Sequence, residues 1–596
     1  MTGPTADSNR KLPFRIAEFE TLTEGLDYAA RGETGCNFFS SRGQLQRAMT
    51  YGELRDEAVR VAERLAGAGL ARGDRLAIVA ETGPEFLTAF FACQYAGVLP
   101  VPLPLSIHIG SREAYIERLS TLIGKSGASA AVGPADFADY LKQAGAGKLA
   151  WCATADEVMA LPPGKAKLRP LGKDEPCYVQ YSSGSTSAPR GALISQRAIT
   201  ANARGIGRDG LKLRPGDRGT SWLPLYHDMG LVGFCLAPML SQIPIDYLPT
   251  NSFALRPLVW LRLLSEHGGT ISFSPTFGYE LCVRRGLAGL AGELDLSRWR
   301  VAGIGAEMID AGVLERFADT FGAVGFSPKA FVPSYGLAES TLAVSFAGLG
   351  TGAETEAADL EHLSGSGEVV APGSNGAGGP VRRFVVCGRP LPGHRVEIRD
   401  EAGRPLPERR VGSIFASGPS LMTAYYREPE ATAKVLSDDG WLDTGDLGYL
   451  SGGQLVVTGR QKDLVILNGR NIWPQDVEWA VEKLANVRAG DVACFSVEAD
   501  EGERMVVMVQ CRASSEKARE TFRREVYATV RKASGADGVV VLVPPRTLKF
   551  TSSGKLSRAA IKADYLAGEI DDLQARPTGR GNGGVREATV AADRPA

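Results

Sequence analysis

Leu76-Ala-Ile-Val-Ala80, a run opened by Pro84 and carried through Ala96, and then Gly97-Val-Leu-Pro-Val101 set the fold class of this chain. The first piece is short and continuously apolar, as in a strand covered on both faces. Proline suits the first position of a helix, where its missing N–H has no partner to lose. Strand, helix and strand in this order predict a parallel α/β sheet. Just upstream, Thr50 and Glu53 form a capping-box pattern ahead of Leu54, Ala58, Val61 and Leu65 on one helical face.

The same alternation predicts a large N-terminal domain over 1–460, with Gly412-Ser-Ile-Phe-Ala-Ser-Gly418 marking a β-rich distal part. Residues 351–380 break the pattern with Gly, Ala, Ser and Glu, and are expected to be a mobile surface insertion. After Arg460 come Lys462, the apolar Leu464-Val-Ile-Leu467, the turn Asn468-Gly-Arg-Asn471 and a helix near Pro474, which predict a small α+β domain over 461–575. The tail 576–596 has no apolar periodicity and is expected to be disordered.

With 596 residues, 44% of them hydrophobic, the chain can build more than one core. Lys plus Arg (67) and Asp plus Glu (68) leave a net charge of −1, which offers no global field for nucleic acid or for an anionic membrane. Nine cysteines without a CxxC pair indicate neither a zinc knuckle nor a disulfide framework, and fit a reducing cytoplasm. The N-terminus lacks a secretory layout and no apolar run has transmembrane length, so any membrane contact is expected to be peripheral.

Polar chemistry recurs at separated stations. Tyr181-Ser-Ser-Gly-Ser-Thr-Ser-Ala-Pro-Arg-Gly191 offers hydroxyls, backbone N–H groups and a cation (Ser182, Ser183, Gly184, Ser185, Thr186, Arg190) suited to phosphate oxygens. Alone it reads equally as a surface turn, and no Gly-Lys pair has Walker context. Glu339 in Tyr335-Gly-Leu-Ala-Glu339 is a candidate Mg²⁺ ligand. Asp446 and Arg460 can bind ribose hydroxyls, and Lys555 in a Ser-Gly-Lys loop can reach a phosphate undergoing transfer. Each is separately a plausible solvated charge; their joint order is not easily read that way.

These motifs resemble the signatures of the adenylate-forming superfamily, over about residues 45–565. The likeness is closer to fatty acyl-AMP ligases, through Ser221-Trp-Leu-Pro-Leu-Tyr-His-Asp-Met-Gly-Leu231, Ser274-Pro-Thr-Phe-Gly-Tyr279, Trp299-Arg-Val-Ala-Gly-Ile-Gly-Ala-Glu307 and Leu467-Asn-Gly-Arg-Asn-Ile-Trp-Pro-Gln-Asp-Val-Glu478. The resemblance implies a large adenylation domain and a mobile C-terminal domain turning about Lys462, and gives the insertion at 351–380 a role in limiting the second half-reaction, with a neutral disordered loop as the alternative reading. It implies ATP and Mg²⁺ as cofactors, with a medium- or long-chain fatty acid activated to acyl-AMP. The acyl group would then pass to a holo acyl carrier protein or the carrier domain of a polyketide or peptide synthase. CoA is the alternative acceptor, and an inactive lipid- or carrier-binding homologue the third reading.

On this resemblance Lys555, Glu339 and His227 are catalytic, with the adenine near Gly305, Ala306, Glu307, Tyr335 and Gly336. Trp222, His227 and Phe277 lie on the acyl side. By itself His227 reads as a general base, an orienting group or a satisfied buried histidine, and Trp222, Phe253, Phe277 and Met229 read equally as core. The chain departs from the superfamily pattern at Ser187, Arg190 and Ala338, and Ile472-Trp473 replaces the His-Tyr common among the ligases.

Overall fold

The computed structural model describes residues 12–105, 112–165, 167–181, 189–287, 292–373, 380–467, 470–499, 502–551 and 554–573. Residues up to Gln475 together with Lys549–Ala560 form one compact unit; Asp476–Leu548 and the residues from Ile561 onward form a second.

The first unit is built on two parallel-stranded layers, as the opening stretch predicts. Arg75–Val79 pairs in parallel with Leu99–Leu103 and with Ala130–Val132, and the helix between the first two runs from Pro84 to Ala96 and stops at Gly97 in the left-handed region (φ 75°). The Thr50–Glu53 capping box is present and starts the helix Tyr51–Gly67.

The larger sheet has nine strands, and six neighbours in it are parallel: Phe331–Gly336, Val301–Ile304, Ile271–Ser274, Gly219–Ser221, Ile245–Tyr247 and Gly35–Phe39. Parallel strands bring all their C-terminal ends to one edge, where such sheets place ligands. Covered on both faces, these strands bury even their charges. Arg218 grips Asp246 with two bonds of 2.6 and 2.5 Å, and Asn37 donates to the same carboxylate at 2.8 Å. The β-rich part predicted near Gly412 is a four-stranded antiparallel sheet of Arg395–Arg399, Gly412–Ser417, Leu442–Ser451 and Gln454–Arg460.

Residues 351–380, expected to be a mobile surface insertion, hold regular structure over their described part. Thr355–Asp359 pairs antiparallel with Val381–Val385, and Leu360–Ser366 is a helix capped by Asp359, whose carboxylate accepts from the N–H groups of Glu361 and His362. Ala358, Leu363 and Val369 are buried with Phe384, Tyr449, Val456 and Trp473. Residues 374–379 lie outside the described residues.

That cluster also explains why the compact units divide after Gln475 rather than at Arg460. Trp473 is 2% exposed and lies under the Arg382 guanidinium, 4.5 Å from its ring, which keeps residues 461–475 with the first unit. The second unit holds an antiparallel pair, Val492–Ala499 and Gly502–Gln510, a parallel third strand Val539–Val543 and the helix Glu516–Ser534, an α+β arrangement. Among the described residues no helix is long and apolar enough to cross a membrane. All nine cysteines are free thiols.

Candidate active site

Most of the predicted residues that fall among the described ones follow the C-terminal ends of the parallel strands. Trp222 and His227 come after Gly219–Ser221, Phe277 after Ile271–Ser274, and Gly305, Ala306 and Glu307 after Val301–Ile304. Tyr335 and Gly336 close the strand Phe331–Gly336, which turns through Ala338–Ser340 into the antiparallel strand Ala343–Phe346. The turn is tight enough that a Cβ on Gly336 would sit 1.8 Å from the Leu342 carbonyl oxygen. Thr341 adopts φ 64° within it. Glu339 is thereby fixed at the sheet edge.

The Glu339 carboxylate accepts the Tyr425 hydroxyl at 2.8 Å. Burial pushes its pKa up, and the Tyr425 bond only partly offsets this. Tyr425 carried no mark in the sequence, because the pair Tyr425-Tyr426 after Leu421-Met-Thr-Ala reads as packing.

Asp446 and Arg460 are register partners on neighbouring antiparallel strands and form an ion pair at 3.3 Å. Tyr335 donates its hydroxyl to the other Asp446 oxygen at 2.8 Å. Burial raises the Asp446 pKa, against the charge of Arg460 and the Tyr335 bond. Arg460 keeps about half of its side chain exposed (49%), so one face of this trio remains open.

Lys555 belongs to the first unit with these groups, although in sequence it falls among residues of the second. Its loop closes on itself: the Thr551 N–H donates to the Lys555 carbonyl at 2.7 Å, and the Lys555 N–H donates to the Thr551 hydroxyl at 3.2 Å. Burial, and then the like charge of Arg460, hold the Lys555 pKa below the ordinary lysine value, while Asp228, Glu307 and Asp446 pull it back up. One cation therefore shares its field with three carboxylates: Asp228 and Glu307, which follow strands of the parallel sheet, and Asp446, which lies within the antiparallel strand Leu442–Ser451.

Glu307 has a further engagement that the sequence reading missed. Its carboxylate accepts the Phe277 N–H at 2.9 Å and also the Thr276 N–H, capping the helix Thr276–Arg285. Ala306, beside it, sits at φ 70°. Asp228 is a second missed group, although it adjoins His227 in sequence. Its Oδ1 lies 2.7 Å from His227 Nδ1 and 2.7 Å from the Met229 nitrogen. Burial favours the neutral acid, but the charge and hydrogen bond of His227, Lys555 and the Met229 N–H outweigh it and hold Asp228 below the usual carboxylate range.

Apolar groups flank this polar cluster. Trp222 stacks on Phe253 at 3.7 Å with ring planes 6° apart, and meets Phe277 edge-on at 5.7 Å. A Cβ on Gly554, next to Lys555, would lie 3.6 Å from the Phe277 ring. Among the described residues the buried Trp222 Nε1 has no hydrogen-bond partner. Met229 is buried in the main core.

Ser182, Ser183, Gly184, Ser185 and Thr186 lie outside the described residues. Arg190, at the end of that loop, pairs with Glu428 at 3.7 Å and lies 5.4 Å over the Tyr425 ring, while Lys125 reaches the same Glu428 at 3.4 Å. Lys462 is exposed on the turn Gln461–Asp463, and the adjoining Asp463 pairs with Arg558 at 2.9 Å.

Residues 32–426 match the family of AMP-binding enzymes. A Caulobacter vibrioides (strain NA1000 / CB15N) protein with the provisional name acyl-CoA synthetase is 48% identical, over 96% of this chain and 99% of its own. The medium-chain-fatty-acid–[acyl-carrier-protein] ligase of Moorena producens (strain JHB) is 32% identical, over 94% of this chain and 97% of its own. A structure from a study of fatty acyl-adenylate ligases of E. coli and L. pneumophila superposes with a TM-score of 0.90 at 44% identity, covering 94% of this chain and all of that one. Motif order, strand-end geometry and these likenesses agree: the chain belongs to the AMP-binding, adenylate-forming enzyme family and is a ligase.

Proposed function

We propose that this ligase converts a medium- or long-chain fatty acid and ATP to acyl-AMP and pyrophosphate, then passes the acyl group to the phosphopantetheine thiol of a carrier protein. The observation that carries the reading is Lys555 set among Asp228, Glu307 and Asp446, with the aromatic wall of Trp222, Phe253 and Phe277 alongside. A fatty acid needs a charged head site next to an apolar wall, and this site supplies both.

In the first half-reaction a carboxylate oxygen attacks the α-phosphorus, forming the C–O–P linkage as the bond to pyrophosphate breaks. Charge builds on the α-phosphate oxygens between two anions, so catalysis is mainly positioning and electrostatic stabilisation. Lys555 bridges the carboxylate and the α-phosphate. Asp446 accepts the ribose hydroxyls, Arg460 donates to them, and Tyr335 with the Gly305–Ala306 turn borders the adenine. Ser182, Ser183, Gly184, Ser185, Thr186 and Arg190 take the β- and γ-phosphates, for which Arg190 exchanges its Glu428 partner.

Glu339 fits a Mg²⁺ ion, since it is a buried carboxylate whose raised pKa a cation would relieve, and Mg²⁺ completes its shell with phosphate oxygens and water. Bound there, the ion would neutralise the charge of the leaving pyrophosphate. Lys462 is the hinge for motion of the C-terminal residues between half-reactions, and 351–380 limits the acceptor in the second.

Replacing Asp446 by alanine removes the acceptor of both Tyr335 and Arg460 and one or two charge-assisted bonds to ribose, each worth about 1.5–3 kcal/mol. The KM for ATP is expected to rise at least about tenfold, the equivalent of 1.4 kcal/mol. Steady-state pyrophosphate release against ATP concentration measures it; an unchanged KM contradicts the ribose assignment.

The similarity to the Caulobacter protein favours a second reading in which CoA is the acceptor. Mass spectrometry of reactions holding ATP, Mg²⁺ and a fatty-acid panel, with holo carrier protein, with CoA or with neither, separates the two. Acyl-adenylate accumulating alone and transfer to the carrier supports the first reading. Efficient acyl-CoA formation supports the second, and no adenylate for any fatty acid removes both.

A further inference from the structure

The turn that carries Glu339 is held in a conformation its residues do not favour. Thr341 sits at φ 64° and ψ −58°, and the Leu342 N–H donates to the Ser340 carbonyl at 2.7 Å across it. This is a γ-turn of the positive-φ hand, which is rare and strained, and a β-branched residue at its centre adds to the strain. Such a backbone persists only where its surroundings over-determine it, and strain of this kind gathers at functional sites.

The surroundings come from two distant segments. Asn202, on the helix Gln196–Arg204, is wholly buried, and its amide meets both backbone groups of Ala343. The Ala343 N–H donates to Asn202 Oδ1 at 3.1 Å, and Asn202 Nδ2 donates to the Ala343 carbonyl at 2.8 Å. Exchange of both bonds with one residue is what a neighbouring strand would supply, so a side chain stands in for a strand where Ala343–Phe346 leaves the turn. Nδ2 also donates to Ser420 Oγ at 2.9 Å. Ser420, equally buried, accepts the Thr341 hydroxyl on its carbonyl at 2.6 Å, and the Met422 N–H donates to the Glu339 carbonyl at 2.7 Å. Asn202 and Ser420 thus grip the γ-turn on both sides of Leu342, and neither is among the groups assigned above to ATP or to the fatty acid.

We propose that Asn202 is a positioning residue for the metal: by pinning the strained turn it sets the Glu339 carboxylate where the ion needs it, an inference that rests on the reading of Glu339 as the metal ligand. Mg²⁺ demands near-ideal octahedral geometry, so a carboxylate that drifts with its turn holds the ion less well.

The test is binding of Mn²⁺, used in place of Mg²⁺, to the full chain with ATP and no fatty acid, followed by electron paramagnetic resonance beside ATP binding in EDTA. In Asn202→Ala the Mn²⁺ affinity is expected to fall about tenfold, the low end for groups that support a metal ligand, with ATP binding in EDTA within about twofold of the wild type. Thr341→Gly takes φ 64° without strain, so in the Asn202→Ala background it is expected to recover most of the lost affinity although it restores no hydrogen bond. Asn202→Asp keeps the shape of the side chain and the bond from the Ala343 N–H but loses the two donated bonds, and is expected to show the same loss if Asn202→Ala does not fold. Mn²⁺ affinity at the wild-type value in the folded variant overturns the inference. So does a loss that extends equally to ATP in EDTA, or one that Thr341→Gly leaves in place, since Asn202 would then support the fold at large. A wild-type protein that binds Mn²⁺ no better than Glu339→Gln removes the metal assignment and this inference with it; a difference there with no effect at Asn202 removes only the inference.

Discussion

Replacing Lys555 by alanine is expected to lower acyl-adenylate formation by about 10²–10³-fold, the scale of removing one preorganised group that stabilises transition-state charge, while ATP still binds. The ground state needs this ammonium little, because Asp446, Arg460 and Tyr335 form their own contacts without it. The transition state needs it more, since only then does charge collect where attacking carboxylate and α-phosphate meet. Rapid-quench measurement of adenylate, beside equilibrium binding of a nucleotide, separates these effects. An active Lys555→Ala enzyme contradicts the assignment, and equal losses in binding and rate place Lys555 in ground-state binding only.

The same residue links activity to pH and to stability with opposite signs. Burial and Arg460 lower its pKa in the folded protein, so the cation is lost at a lower pH than in an ordinary lysine and adenylation falls as pH rises through that value. Between the folded and the unfolded pKa the unfolded chain binds more protons, so the contribution of this group to stability rises with pH across the same window. Lys555→Met is therefore expected to hold or raise the denaturation midpoint at neutral pH while abolishing most activity. A variant that loses both would mean that the lysine is a structural partner.

The second large effect concerns the sheet beneath the site. Asp246→Ala leaves Arg218, whose side chain is 7% exposed, without its counter-ion and Asn37 without its acceptor. Breaking a buried pair by removing one partner costs about 3–5 kcal/mol, because the remaining charge stays buried and uncompensated. The urea midpoint of the first unit is expected to fall accordingly. Arg218→Met combined with Asp246→Leu should recover most of the loss, since replacing both charges by apolar groups of similar volume is often close to neutral. A loss below 1 kcal/mol in the single variant would mean that water reaches Arg218.

Much of this architecture was legible because local rules and tertiary context agree. Pro84, Gly97 and the apolar runs beside them mark element limits that the fold keeps, and the Thr50–Glu53 box starts the helix it announces. The site was legible as a set of stations because strand ends in a parallel sheet collect residues that are far apart in sequence, such as His227, Glu307 and Glu339. What was not legible depended on distant partners. The segment after Gly350 looks featureless because Ala, Gly and Ser carry little apolar periodicity, yet Ala358 and Leu363 gain a core from Tyr449 and Trp473. Trp473 likewise moves the limit of the first unit past the predicted hinge. Tyr425 and Glu307 acquire their roles only through the Glu339 carboxylate and the start of the Thr276–Arg285 helix. No pattern within either stretch announces such a partner.

In the proposed reaction the carboxylate of a fatty acid attacks the α-phosphorus of ATP with release of pyrophosphate. Exchange of labelled pyrophosphate into ATP, followed with and without fatty acid and in the absence of any thiol, tests it most directly. Exchange is expected to depend on the fatty acid and to fall about 10²–10³-fold in Lys555→Ala. Formation of ADP and phosphate, or exchange indifferent to the fatty acid, would contradict it.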